Sequence, residues 1–128
     1  LDGDAPPMKE PLAAIARAHS LDFAGAQQIA QEYFKTRDEA AGHFELIARM
    51  LEEVLCLKLL GAQAVPESKD EEAKLIKQLA GVLETGAIVD CLAAAVKARA
   101  AVDAMANPRM QAEQFWMTAA EAIRERSE

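Results

Sequence analysis

Apolar residues recur at three- and four-residue intervals along nearly the whole chain, and no segment alternates apolar and polar positions as a half-buried strand would. Six helices are predicted. The first covers Lys9 to Ala18, with Leu12, Ile15 and Ala16 on one face and a turn at His19-Ser20. The second, capped by Asp22, lines up Phe23, Ala26, Ile29, Ala30, Tyr33 and Phe34 as an amphipathic stripe, which reads as core. Asp38 is the expected cap of the third, whose inner face is Phe44, Ile47, Ala48, Leu51, Val54 and Leu55, with Gly61 in a left-handed stop position. Its last two turns, VLCLKLL, are apolar nearly all round, so this end either runs through the domain centre or meets another subunit. Lys58 is the one charge there, with its stem along the core and its amine reaching water or C-terminal carbonyls.

A loop with Pro66 follows, and Ser68 to Glu71 matches a capping box that opens a fourth helix packing through Leu75, Ile76, Leu79, Val82 and Leu83. A weak point at Thr85-Gly86 separates it from a fifth helix, Ala87 to Ala106. That helix sets Ile88, Cys91, Leu92, Ala95, Val96, Arg99, Val102 and Met105 along one broad side. Its many alanines let neighbouring helices approach closely. At the next boundary Asn107 can cap the following turn, and Pro108 fits the first helical position, where its missing donor is not needed. The sixth helix then carries Ala112, Phe115, Trp116, Ala119, Ala120 and Ile123. Adjacent rings on one helix cannot both aim straight at one core, so either one of Phe115 and Trp116 sits at a rim or interface, or both are internal. The fold class is therefore all-α, a single compact bundle of five to six helices. Residues 1–7, with Asp2, Asp4, Pro6 and Pro7, read as a flexible linker or the tail of an absent upstream domain, which leaves 8–128 as the helical domain.

Composition agrees with one helical core: 128 residues, 52% hydrophobic, with only 6 glycines and 5 prolines. The formal charge of -7 and the scatter of 14 basic residues along the chain, with no stripe on any one predicted helix, leave no cationic face for phosphates, so direct nucleic-acid contact is not expected. No apolar stretch approaches the ~20 residues that span a bilayer, and a cytoplasmic protein without membrane contact is expected. Cys56 and Cys91 lack a CxxC partner and read as small buried hydrophobes in a reducing compartment.

Local signatures of chemistry are absent from the sequence. There is no GxxxxGK[ST], GxSxG, HExxH or GxGxxG. A carboxylate-bridged di-metal bundle needs Glu three residues before each ligating His, but Ala16 precedes His19 and Ala40 precedes His43 at that spacing. Glu52-Glu53 and Glu71-Glu72 read as surface charge. The segment FAGAQQIAQEYF has a repeat-like rhythm, but no second copy follows. No catalytic, cofactor-binding or metal-ligating residue is predicted, and no enzyme.

Three pieces in order, DFAGAQQIAQEYF with HFELIARMLEEVLCLKLLG, the loop ending at Pro66, and VKARAAVDAMANPRMQAEQFWM, resemble the C-terminal helical collar of a bacterial DNA polymerase III clamp-loader subunit. The similarity covers roughly Leu12 to Ile123 and is greatest to delta-prime, then to gamma/tau. Leu55, Leu57, Lys58, Leu59 and Leu60 match the family's leucine-rich run with a basic residue, and Asn107, Pro108 and Arg109 match the Asn-Pro-Arg start of its last helix. The chain departs from the family at Met105, where many members have asparagine, and at Met110, where a leucine follows the arginine. The resemblance implies a non-catalytic role, in which collar helices join other clamp-loader subunits in a ring during loading of the sliding clamp in DNA replication. It implies no cofactor. Leu57, Lys58, Leu59, Phe115 and Trp116 are the expected subunit-contact residues, and Asn107 and Pro108 the structural cap. The alternative is a stand-alone helical adaptor or regulatory module, including a homodimer.

Overall fold

Helix after helix forms because straight-chain residues and alanine dominate every segment. The computed structural model describes residues 23–61 and 71–126, with helices α1 (Phe23–Tyr33), α2 (Arg37–Leu60), α3 (Glu71–Val82), α4 (Thr85–Asp103) and α5 (Pro108–Arg126). They form an all-α bundle, with no strand among the described residues. The predicted linker, the Lys9 to Ala18 helix, the Asp22 cap, the Pro66 loop and the Ser68 box lie outside the described residues.

α2 is capped by Thr36 rather than by Asp38. The Thr36 hydroxyl accepts a hydrogen bond from the Glu39 N–H at 3.1 Å, and Glu39 Oε1 reaches back to accept from the Lys35 N–H at 2.8 Å. This reciprocal pair satisfies two amide donors, whereas Asp38 sits inside the first turn and complements the helix dipole. At the other end the Gly61 N–H donates to the Leu57 carbonyl at 3.0 Å. Gly61 has φ 92° and ψ 179°, so its φ is positive as expected, but its ψ is extended, a combination open essentially to glycine alone.

α4 begins at Thr85, two residues before the predicted start, and the break lies at Leu83 and Glu84. Gly86 is thus absorbed into the first turn. The helix also stops at Asp103, short of Ala106, because the chain closes on itself there: the Ala106 N–H donates to the Ala101 carbonyl at 2.9 Å and the Met105 N–H to that of Val102 at 2.9 Å. These are the two bonds of a Schellman turn, whose pivot takes a left-handed conformation. The pivot is Met105, with φ 76°, a methionine where glycine or asparagine is the unstrained choice. Met105 was expected on the packing side of the helix, but this turn swings it outward, where it is 69% exposed. Two residues on, Asn107 Oδ1 accepts from the Met110 N–H at 3.0 Å, and Pro108 is the first residue of α5.

The core is built on an aromatic file crossing three helices. Phe34, immediately after α1, lies 4.9 Å from Phe44 of α2, which meets Phe115 of α5 edge-on at 5.6 Å, and Phe115 stands 4.9 Å from Trp116 at 77°. These offset and T-shaped arrangements are the favourable ones for rings. α2 packs along α4, α4 along α5, and α1 chiefly against α5, while α3 leans on α2. Of the residues predicted to face inward on α3, Ile76, Leu79 and Leu83 do so, but Val82 is exposed.

Candidate functional site

The predicted subunit-contact residues fall into two groups. Phe115 and Trp116 are buried within the chain's own core and leave no ring surface for a neighbour. They can both be internal because α5 has α1 against one flank and α4 against another, which widens its buried arc beyond a single stripe. Side chains at adjacent positions, roughly 100° apart around the axis, both fit inside that arc. The indole Nε1 is nevertheless buried without a hydrogen-bond acceptor among the described residues.

The end of α2 is different. Leu57 is half-buried against the core, whereas Leu59 and Leu60 are 62% and 67% exposed. Lys58 is exposed, and its Nζ donates to the Ala80 carbonyl at 2.8 Å. Ala80 lies in the last turn of α3, where carbonyls have no partner within their own helix, so the lysine completes that terminus and ties it to α2. The amine is committed inside the chain, and the two leucines beyond it point to solvent. Cys56, expected to be a buried hydrophobe, is also exposed.

Polar groups with altered chemistry are few. Cys91 is buried, and burial, followed by the charge of Asp90, pushes its thiol up to about 12, so it stays protonated and inert at neutral pH. His43 rests edge-on against Phe34 at 5.1 Å and against Tyr33 at 6.3 Å, with its Nδ1 buried and without a hydrogen-bond partner among the described residues. Burial holds its pKa below the ordinary value, against the opposing influence of a hydrogen bond with the Tyr33 backbone and the charge of Glu39. No serine, cysteine or second histidine adjoins it among the described residues, so it is a packed histidine rather than a base aimed at a nucleophile.

Among the described residues, two grooves mark the surface. One, of about 470 Å³, runs between α4 and α5 and includes Asp90, Ala93, Ala94, Lys97, Thr118 and Glu121. The other, of about 320 Å³, lies between α2 and α4 and includes Glu45, Arg49, Glu52, Val96 and Arg99. Arg99 bridges the latter, with Nη1 2.9 Å from Glu45 Oε1 and Nε 3.4 Å from Asp103 Oδ2. Such partly exposed pairs orient side chains and add little stability. Neither groove brings a nucleophile beside a base, and no group of three His, Cys, Asp or Glu among the described residues is placed to hold a metal ion. No described helix is long and apolar enough to cross a membrane.

No family model, curated protein or solved structure matches the chain. Geometry and sequence are therefore the whole basis for a functional reading. They single out exposed apolar side chains: Leu59, Leu60 and Val82 around the ends of α2 and α3, and Val89 and Val96 on α4. The sequence pattern located the first cluster through Leu59 but missed α4, where Val96 had been assigned to the packing side. The available signal was the composition of α4 itself, TGAIVDCLAAAVKARAAVD, which has no polar side.

Proposed function

We propose that this chain is a non-catalytic assembly module, the collar domain of a bacterial DNA polymerase III clamp-loader subunit, delta-prime in the first place and gamma/tau in the second. In this role it holds subunits together in the cytoplasm while a sliding clamp is loaded during DNA replication, and the DNA and the nucleotide are left to other domains. The observation that carries the reading is the exposed Leu59-Leu60 pair at the tip of α2, braced from behind by Lys58 on the end of α3. Exposed leucines on a rigid, anchored helix end are suited to burial against another protein, since their removal from water is favourable and little order remains to be gained. The order of the helices, the leucine-rich run and the Asn-Pro-Arg start of α5 supply the link to clamp loaders. Phe115 and Trp116 are buried within the chain, so the contact falls to Leu59 and Leu60 with Leu57 behind them.

The test is retention of this chain on a purified clamp-loader assembly lacking delta-prime. Wild type should be retained, and the paired change Leu59→Glu with Leu60→Glu should cut retention at least about tenfold while leaving the helical circular dichroism unchanged. Failure of wild type to bind, or equal binding by the charged variant, refutes the assignment.

A further inference from the structure

We infer that α3 is a latched strap, which leaves α2 and unravels as one unit while the other four described helices stay folded, and that the bond from Lys58 to Ala80 is the latch holding it shut. The inference concerns the motion of α3 and does not rest on the clamp-loader reading.

α3 is held differently from its neighbours. Among the described residues α2 is the only helix it packs along, whereas α1, α2, α4 and α5 each pack along at least two others. Its inner side supplies Ala73, Ile76 and Leu79, all of them buried. Its outer side, Lys74, Lys77, Gln78, Gly81 and Val82, is exposed, so the helix is covered from one direction. Lifting α3 breaks one set of apolar contacts, and lifting any of the other four breaks at least two. Local opening costs least where the fewest buried apolar contacts are lost. The chain beyond α3 already has the bend such a motion needs, since Leu83 and Glu84 lie outside the helices and Glu84 is extended, with φ -76° and ψ 153°.

Release also removes what keeps the segment helical. α3 has 12 residues, and helices shorter than about 12–15 residues are marginal in water without tertiary support. Gly81 weakens the last turn further, and a Cβ at that position would meet nothing within 4 Å, so no close approach calls for the glycine. A detached α3 is therefore coil, and its amides reach solvent together. Opposing this, the Lys58 Nζ donates to the Ala80 carbonyl at 2.8 Å, a charge-assisted bond from α2 to the last turn of α3. Opening turns Ile76 and Leu79, and the stretch of α2 beneath them, out to solvent, an apolar face that the closed chain hides.

Native-state hydrogen exchange on the 128-residue chain tests the inference. The amides of Leu75 to Leu83 should share one protection factor, at least about thirtyfold below that of the slowest amides in α2 and α4. Lys58→Met keeps the stem and removes the donor; it should speed exchange of the α3 amides about tenfold, and Lys58→Arg should recover part of the loss. Gly81→Ala should slow the same amides about threefold. Ile123→Val, at a buried position of α5, should lower the protection of the slowest amides severalfold yet leave the α3 factor where it was, because the packing it weakens survives in the open form. Equal protection in α3 and α2, an α3 factor that falls with Ile123→Val, or one indifferent to Lys58→Met overturns the proposal.

Discussion

α4 and α5 are of equal length and lie side by side, yet they handle their apolar residues in opposite ways. α5 carries Arg109, Glu113, Glu121, Arg124 and Glu125 but keeps them apart from Ala112, Phe115, Trp116, Ala119 and Ala120, all of which are buried. α4 is poorer in charge and buries mostly small side chains, while two valines remain outside. The difference shows that segregation of polarity, more than its amount, decides what one chain can bury unaided. A segregated helix completes its packing within the molecule. An unsegregated one has surface left over.

The largest expected effect separates these two kinds of apolar residue. Trp116→Ala opens a cavity at the end of the aromatic file and should cost about 3–5 kcal/mol in a urea titration. Val96→Gln, at an exposed position, should change stability by less than about 0.5 kcal/mol. A small effect at Trp116 or a large one at Val96 would erase the distinction between the two helices. The turn joining them allows a sharper and smaller test. Met105→Gly relieves a left-handed methionine that buries little surface and should stabilise the chain by about 1 kcal/mol, read as a rise in the urea midpoint. A loss of stability would mean that the methionine side chain holds the α4–α5 corner together.

The smallest effect is a pH dependence rooted at the opposite end of the aromatic file from Trp116. Burial lowers the His43 pKa in the folded chain, so the unfolded chain binds the proton more readily. The contribution of His43 is therefore fully present above the unfolded value of about 6.5, and it is lost as pH falls through that value toward the folded one. His43→Phe should flatten the decline in melting temperature between pH 7.5 and 5.5, and an unchanged slope would show that the ring is not desolvated.

Much of the fold was legible because α1, α2 and α5 write their buried faces at strict helical spacing. Ala26, Ala30, Phe34, Phe44, Ile47, Leu51 and Val54 were all expected inside and are inside. Boundaries were less legible where two polar residues compete for one role. Thr36 displaced Asp38 as a cap only because Glu39 can answer it from the next turn, a pairing that depends on three-dimensional reach. The resemblance recorded Met105 as a mere departure from a family asparagine, yet its backbone conformation is what ends α4. The candidate surface was legible only in part. Leu59 and Lys58 stand next to each other in a run that is apolar nearly all round, and nothing in its spacing says that the lysine turns in to a carbonyl while the leucine turns out. On α4 nearly every position is small or aliphatic, so periodicity gives no phase and Val96 was assigned to the wrong side. Phe115 and Trp116 were misjudged because a single stripe was assumed where two neighbours flank α5.

One further consequence lies in the pairing of α1 with α5. The earliest of the five described helices finds its principal seat on the last, so a growing polypeptide leaving the ribosome holds α1 in waiting until α5 has emerged. Closure of the bundle is a late, long-range event, and a chain shortened before α5 deprives α1 of its berth as surely as deleting α1 itself would.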